Sequence, residues 1–498
     1  MTTRRRQQWW AASFRPLRRK SFLLVWCAGL ISMSGDWALK IALPMLVLEG
    51  TGSVAATSGV AIAGVLPTLF FGGVAGVFVD RWDRRRVMLV ASLGQALAVL
   101  PLAVIDGPGT VWVCYAVTFA VGTLAQFVQP AESALLPLLV DAKDLIAANS
   151  LNAVNNNLAR LVGPALGGLV AAWAGLTAVA YVDAATFVVA ALLLACVRGT
   201  YAAAGMDRLA GGVATETPSD RRFLRSYARI GTELVDGLAF IARSRVLVVL
   251  IATFTVTSVG EGLMGALFAV YVKEGLHGGV TEVGWLMSAQ AVGGIVGGVV
   301  AGWFTRFSPI RLLTVGAAVF GVIDVVLFAY PLAWSAFWPA MVLLILVGVP
   351  AVLVSSTVTA QIQGAAPDEF RGRVFAVMGT SMGLAMMLGA ALGGAFGDDL
   401  GAMAMLIWQG AGYLVAGPVV GLLLGGRALA KARRTAAAVP AAVGASMASP
   451  ITERSITETS IGEPSNAGPS INGDSINGDS INGDSINGDS INGDSIRR

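Results

Sequence analysis

Charge is what this sequence has least of. Charged residues fill 13% of its 498 positions and hydrophobic residues 55%, against roughly 25% charged in an ordinary soluble domain. A soluble chain this apolar would present large greasy patches to water, and a chain dissolved in lipid would not. Cysteine is nearly absent: Cys27, Cys114 and Cys196 lie in three different apolar runs. That excludes a disulfide framework and gives no metal-ligand spacing. The single histidine, His277, leaves a zinc or haem site without ligands, so no metal and no other cofactor is expected. A net charge of +4 implies no nucleic-acid partner. There is no phosphate-cradling Walker pattern and no nucleophile–His–acid set, so an enzyme is not expected.

What the chain does have is hydrophobic length. A helix needs about 20 mostly apolar residues to cross the hydrocarbon of a bilayer. That window finds spans near 22–48, 54–79, 86–105, 110–136, 150–173 and 176–197, and then 246–272, 282–304, 311–331, 335–362, 373–397 and 402–425. The basic residues orient them. They cluster at the N-terminus, at Arg81/Arg84/Arg85/Arg86, at Lys143, across Arg198–Arg245, at Arg306/Arg311, at Arg371/Arg373 and at Arg427–Arg434. Those are alternate loops. Of 34 lysines and arginines, only Lys40, Arg160 and Lys273 lie outside these loops and the tails, which supports an even number of spans with both termini cytoplasmic. No small-residue cleavage site follows the basic N-terminus, so the first span reads as a retained helix. Trp112, Trp173, Trp334 and Trp338 mark the opposite edge as an aromatic belt.

The reading divides the chain into a basic N-terminus (1–20), a first six-helix bundle (21–198), a linker (199–245), a second six-helix bundle (246–426) and a tail (427–498). In the linker, Tyr227, Ile230, Leu234, Leu238 and Ile241 recur at helical spacing beside Arg222, Arg225 and Arg229, as an amphipathic helix on the inner membrane surface would. Residues 470–494 are five copies of Ser-Ile-Asn-Gly-Asp. One apolar residue per copy cannot offset the chain's conformational entropy, so the tail is expected to be disordered.

The two bundles echo each other. Gly35-Asp36 matches Gly260-Glu261, Gly72-Gly73 matches Gly297-Gly298, and Arg81 and Arg86 match Arg306 and Arg311, all 225 residues apart. Gly163-Pro164-Ala165-Leu166-Gly167-Gly168 matches Gly389-Ala390-Ala391-Leu392-Gly393-Gly394 at 226. A sustained offset indicates parallel repeats related by an axis along the membrane normal, with a binding site between them near the midplane.

With these features the chain resembles the major facilitator superfamily. The run Gly76-Val77-Phe78-Val79-Asp80-Arg81-Trp82-Asp83-Arg84-Arg85 is close to that superfamily's signature between its second and third helices, with Phe78 for leucine and Asp83 for glycine. Ala159, Gly163-Pro164 and Gly167-Gly168 are similar to the glycine-proline motif of its antiporters. Gly35-Asp36 and Arg371-Gly372-Arg373-Val374-Phe375 resemble the macrolide-efflux and enterobactin-exporter branch. The resemblance covers about residues 20–425. It implies an all-α membrane protein with twelve transmembrane helices in two pseudo-symmetric six-helix bundles, acting as a monomer in the cell membrane. It further implies export of a drug, macrolide or siderophore in exchange for protons. One departure is in the fourth span, which has no arginine and offers Gln126, Gln129 and Glu132. A nutrient importer on the same fold and a non-transporting scaffold are the rival readings.

Charges in hydrocarbon cost roughly 2.5–3.5 kcal/mol each on insertion scales, so they need a reason. Asp36 and Glu261 occupy equivalent depths, and low-dielectric surroundings favour the neutral form of a carboxyl group. Either could bind a proton or attract a cationic substrate. Lys40, one turn from Asp36, offers it a local ion pair, and Glu261 has Gly265 in that place. Gln126 and Gln129 are further candidates for the cavity wall. The resemblance implies that Asp80, Arg81, Arg84 and Arg85 form a gating cluster, with Glu369 and Asp141 or Asp144 as partners; alternatively the arginines only enforce topology. Gly163, Pro164, Gly167 and Gly168 permit either a bend or close helix packing. Asn149, Asn152, Asn156 and Arg160 share a face that could line an inner vestibule or form a headgroup-level polar end with Arg160 reaching a carboxylate. Asp183 and Asp324 are further intramembrane acids without an assigned role.

Overall fold

A computed structural model describes residues 13–79, 82–105, 108–199, 201, 234–304 and 306–446. In lipid every backbone N–H and C=O must be satisfied within its own segment, and the described residues meet that demand with helices alone. The first bundle consists of α1 (Lys20–Thr51), α2 (Val54–Val79), α3 (Arg84–Val99), α4 (Val111–Leu139), α5 (145–174) and α6 (176–195). The second consists of α7 (Arg245–Val270), α8 (Val280–Phe304), α9 (Pro309–Ala329), α10 (Trp338–Ala365), α11 (Asp368–Leu400) and α12 (Ala402–Ser446). The chain divides into two units between Thr435 and Ala436, and both six-helix bundles up to Gly425 lie in the first.

Eleven described helical stretches are long and apolar enough to cross a membrane, and one of them, Ala142–Ala195, runs for 54 residues. At about 1.5 Å per residue that is far more than twice the roughly 30 Å hydrocarbon. The break is at Gly175, with φ 71° and ψ −169°, a backbone region essentially reserved for glycine. It separates α5 from α6 and gives twelve crossings. The ends carrying the arginine-rich connections (the basic end) start several helices with side-chain caps. Asp83 accepts from Arg86 N at 2.9 Å, Ser244 from Leu247 N at 3.5 Å and Ser308 from Arg311 N at 3.3 Å, each meeting one of the orphan N–H groups of a first turn. Trp112, Trp173, Trp334 and Trp338 are all exposed at the opposite end.

The internal repeat is a repeat of packing. A Cβ on Gly163 would meet the Ser34 carbonyl oxygen, and one on Gly389 would meet the Val259 carbonyl oxygen, 225 residues along from Ser34. Gly167 lies against Ala38, and Gly393 against Ala266 and Leu267. Gly35 abuts Asp183 on α6, and Gly260 abuts Gln409 on α12. The α1–α5–α6 and α7–α11–α12 contacts are thus built by equivalent small residues, which let backbones approach closely.

Buried hydrophobic side chains fall into three clusters. One holds residues of both bundles, among them Leu43, Val54, Phe187, Leu267, Leu286 and Leu406, and lies toward the end opposite the arginines. The other two lie at the basic end and each belongs to one bundle. Phe22, Val87, Leu135 and Leu194 form the first, and Leu250, Leu313, Val374 and Val420 the second. The bundles are therefore joined at one end and separate at the other.

The joint has two seams. Gly168 of α5 lies against the Val280 carbonyl and Thr281 of α8, and Gly284 lies against the Pro164 carbonyl. Ser288 Oγ donates to the Leu161 carbonyl at 2.7 Å. In the second seam Gly394 and Gly397 of α11 meet Ser58 and Val54 of α2.

The described part of the linker is helical over 234–243. This helix docks onto α11: Gly237 packs on Val377 and the Arg373 carbonyl, Phe240 stacks on Phe370 at 4.6 Å, and Asp236 pairs with Arg373 at 3.6 Å. Leu234, Phe240 and Ile241 pack on an apolar ledge of the second bundle, while Val235 and Leu238 are exposed. Tyr227 and Ile230 lie outside the described residues, as do Arg222, Arg225 and Arg229 and the Ser-Ile-Asn-Gly-Asp repeats.

Candidate site at the junction of the two bundles

Polar side chains from both bundles meet near the middle of the helices, where the shared core gives way to the separated ends. On α1, Asp36 and Lys40 form an ion pair at 3.7 Å, the carboxylate largely shielded and the ammonium exposed. Trp37 lies under Lys40 at 5.6 Å and under the Arg160 guanidinium of α5 at 5.5 Å. Such stacking over an aromatic face is worth about 0.5–2 kcal/mol. Arg160 Nη2 reaches across to α8 and donates to Gln290 Oε1 at 2.8 Å. Facing it on α7, Glu261 acts electrostatically on Arg160 and accepts a 2.6 Å hydrogen bond from the Tyr413 hydroxyl of α12.

Behind each of the two acids lies a buried polar residue. Asp183 is 1% exposed, accepts from Thr186 Oγ1 at 3.4 Å and sits against Gly35, in electrostatic contact with Asp36 and Lys40. Asp324 is 4% exposed and its Oδ2 accepts from Gln409 Nε2 at 3.5 Å.

The structure redistributes several candidates. Arg160 is part of the mid-depth junction rather than of a headgroup-level end, and its partner is an amide of the other bundle rather than a carboxylate. Asn149 donates to the Leu145 carbonyl of its own helix at 2.9 Å, and Asn156 is exposed. Asn155 is buried and donates to the Trp26 carbonyl at 2.7 Å. Gln126 is on α4 at the wall of α2, donating to Thr68 Oγ1 at 3.2 Å, and Gln129 is exposed further along. Glu132 takes a hydrogen bond from Asn152 inside the first bundle. Pro164 stays within a helical stretch, and the glycines around it serve packing against α1 and α8.

The loop arginines are placed otherwise than anticipated. Arg85 Nε and Nη2 donate to the Leu194 and Ala195 carbonyls at 2.8 and 2.7 Å, and Arg84 Nη1 donates to the Tyr201 carbonyl at 3.1 Å. The Arg85 guanidinium at the C-terminus of α6 meets orphan carbonyls and the negative end of the helix dipole within its own bundle, whereas Arg84 Nε is buried without a hydrogen-bond partner. The anticipated carboxylate partners are engaged elsewhere: Asp141 with Arg19 and Lys143, and Asp144 with Arg15. Glu369 is exposed. Asp80 and Arg81 lie outside the described residues. Asp83, a departure from the signature, caps α3 with one oxygen and accepts from Tyr201 N at 2.7 Å with the other. An aspartate three residues before Arg86 was the available signal of that cap.

The model of one family, transmembrane secretion effectors, matches residues 11–431. The chain belongs to that family, within the major facilitator superfamily. Its relatives include the multidrug efflux pump Tap of Mycolicibacterium fortuitum, 31% identical over 379 residues, covering 73% of this chain and 86% of the relative. Macrolide efflux protein A of Streptococcus pyogenes is 27% identical over 365 residues, covering 73% and 86%. Among solved structures, a bacterial homologue of the iron transporter ferroportin in an inward-facing state superposes with a TM-score of 0.60 at 18% identity, covering 82% of this chain and 98% of that one. The chain is a multi-pass membrane transporter of the major facilitator fold.

Proposed function

We propose that this transporter exports bulky, partly apolar small molecules, of the kind the names of its macrolide-efflux and multidrug-efflux relatives describe, by exchange for protons across the cell membrane. The charge bias of its loops supports a basic end that faces the cytoplasm, and with it cytoplasmic termini. The split of the buried core at that end then corresponds to a cleft open to the cytoplasm, and the two seams close the outer side. The observation that carries the reading is the junction itself. Asp36, Lys40, Trp37, Arg160, Gln290, Glu261 and Tyr413, drawn from five helices of two bundles, converge where the shared core ends.

Charged groups at mid-depth are costly unless they line a water-filled path. Glu261 is the member that would exchange its proton with the cleft, and Arg160 would favour its ionised form until substrate or proton intervenes. Trp37 offers an aromatic face to an amphipathic or cationic ligand, while Gln126 and Gln129 line the approach on α4. Asp80, Arg81, Arg84, Arg85 and Glu369 would latch the cytoplasmic end in the opposite state, when the α6 carbonyls held by Arg85 are exchanged for contacts with the second bundle. Substrate, protons and lipid are the partners, and the unit of function is the monomer.

The test is accumulation of ethidium, erythromycin and a catecholate siderophore in cells expressing wild type or Glu261→Gln, with and without a protonophore. Wild type should lower accumulation of at least one probe, and both the substitution and the protonophore should abolish the effect. Reduced accumulation that survives both would sink proton exchange through Glu261.

A further inference from the structure

The two bundles handle their buried acids differently. In the first, Asp36 and Asp183 share one cation, Lys40. In the second, the residue 225 positions along from Lys40 is Gly265, and among the described residues neither Glu261 nor Asp324 forms an ion pair with a lysine or arginine of its own bundle. Asp324 is faced by Glu261 from α7 and by Gln409 and Tyr413 from α12. Neither α10 nor Ala402–Gly425 of α12 contains a charged residue. Arg245 and Arg311 sit in the first turns of α7 and α9 at the basic end, some 13 residues before Asp324 in the case of Arg311, which is about 20 Å of helix. Asp324 is thus a buried carboxyl whose charged neighbour, among the described residues, is another carboxylate. Two like charges that close in a low dielectric do not both persist.

We infer that Glu261 and Asp324 form a pair that holds one proton, with Asp324 its dry seat and Tyr413 the bridge to the cleft. This rests on the proton-exchange reading above. The Tyr413 hydroxyl already donates to Glu261 at 2.6 Å, and Gly410, about one turn before Tyr413 on α12, lies against Asp324. Phe320, on α9 one turn from Asp324, packs on the Tyr413 ring at 4.4 Å and fixes it. Transfer begins when the Asp324 carboxyl turns from Gln409 to donate to the phenolic oxygen, and is then a double hop: the Tyr413 O–H proton passes to the Glu261 carboxylate as the phenolic oxygen takes the Asp324 proton. The phenol is regenerated, Asp324 is left ionised and Glu261 neutral, and no other reactant is consumed. Neutralising Glu261 releases its hold on Arg160, the cation that ties α5 to α8 through Gln290. The proton on the second bundle is thereby linked to the seam between bundles. Gln409 is the positioning residue: its buried Oε1 has no partner, and an amide can turn to accept from a protonated carboxyl or donate to an ionised one.

Two measurements on the purified full chain test this. The first is an infrared difference spectrum in hydrogen and deuterium oxide at neutral pH. Wild type and Glu261→Gln should show a buried protonated-carboxyl C=O component that Asp324→Asn loses, over any component contributed by buried Asp183; a spectrum unchanged in Asp324→Asn overturns the assignment. The second is ethidium flux in proteoliposomes, uphill under an imposed pH gradient and downhill without one. In Asp324→Asn and in Tyr413→Phe the ratio of uphill to downhill flux should fall about tenfold or more, and Tyr413→Phe should keep the infrared band. A wild-type ratio in Tyr413→Phe removes the bridge even if Asp324→Asn does not fold. If wild type carries the band but shows no gradient-driven flux, proton exchange as the driving reaction fails. If wild type is gradient-driven and Asp324→Asn matches it, the pair alone fails.

Discussion

At the scale of single residues, the side chains that matter most at the junction are those that could have been omitted. Lys40 is exposed and its ion pair with Asp36 is worth about 0.2–1 kcal/mol by the usual measure of exposed pairs, so Lys40→Met should change thermal stability in detergent little. Its larger effect is on the two carboxylates it serves. Ethidium efflux should fall several-fold in Lys40→Met and recover in part when Asp36→Asn is added, because the second change removes the charge left without a counterpart. Efflux equal to wild type in the single variant would show that Lys40 merely sits in solvent. The glycines obey the opposite logic, since what counts is the missing side chain. A Cβ on Gly389 would fall on the Val259 carbonyl, backbone that cannot step aside, and Gly389→Ala should cost ~1–3 kcal/mol through overpacking. Gly298, also mid-helix, has open space around it, so Gly298→Ala should be neutral or gain the roughly 0.5–1 kcal/mol of helix propensity. Thermal shifts of the two purified variants decide the matter, and equal shifts would contradict the repeat of packing described here.

At the scale of elements, the turns at the outer end are specified by backbone geometry that the sequence states only as glycine. Gly52 closes α1 with φ 66° and ψ 9°, the left-handed region that asparagine also visits. Gly175 has φ 71° and ψ −169°, which asparagine does not reach without strain of about 1–3 kcal/mol. Gly52→Asn should therefore express and melt like wild type, whereas Gly175→Asn should lower both yield and melting temperature; the reverse order would mean that α5 and α6 are divided by something else. These turns also show how far the sequence could be read. The spans were legible because hydrocarbon thickness sets a helix length, and the 176 start of α6 was visible as a second apolar run even though backbone hydrogen bonding continues through Gly175. The α1–α5 and α7–α11 packing was legible as an offset, since small residues must recur wherever backbones touch. Arg160–Gln290 and Glu261–Tyr413 were not, because their partners lie 130 and 152 positions apart and neither Gln290 nor Tyr413 carries a charge to advertise it. The carbonyl partners of Arg84 and Arg85 were not legible for a related reason. A cation near a helix end finds carbonyls as readily as carboxylates, and the sequence shows only the carboxylates.

At the scale of the whole molecule, two bundles sharing one core at one end and holding separate cores at the other make a structure that can open only by moving its seams. The outer seam between α2 and α11 rests on Ser58 against Gly394 and Val54 against Gly397. These contacts should break and re-form once per transport cycle if the bundles rock as rigid bodies, because each bundle's own basic-end cluster can survive the motion intact. A chain in which Cys27, Cys114 and Cys196 are replaced by serine, with Ser58→Cys and Gly394→Cys added, tests this. The built Cβ of Gly394 lies 2.8 Å from Ser58 Cβ, so slight relaxation reaches the roughly 3.5–4.5 Å of a disulfide. Oxidation should cross-link the resting protein quickly and stop ethidium efflux, and reductant should restore it. The pair Gly76→Cys with Gly372→Cys, at the separated ends of the same two helices, should resist oxidation at rest, since neither glycine has a neighbour within 4 Å of an added Cβ. It should cross-link only when substrate and a proton gradient drive turnover. Efflux that persists through the outer cross-link would mean that substrate crosses without the two bundles parting, and the rocking mechanism would have to be given up.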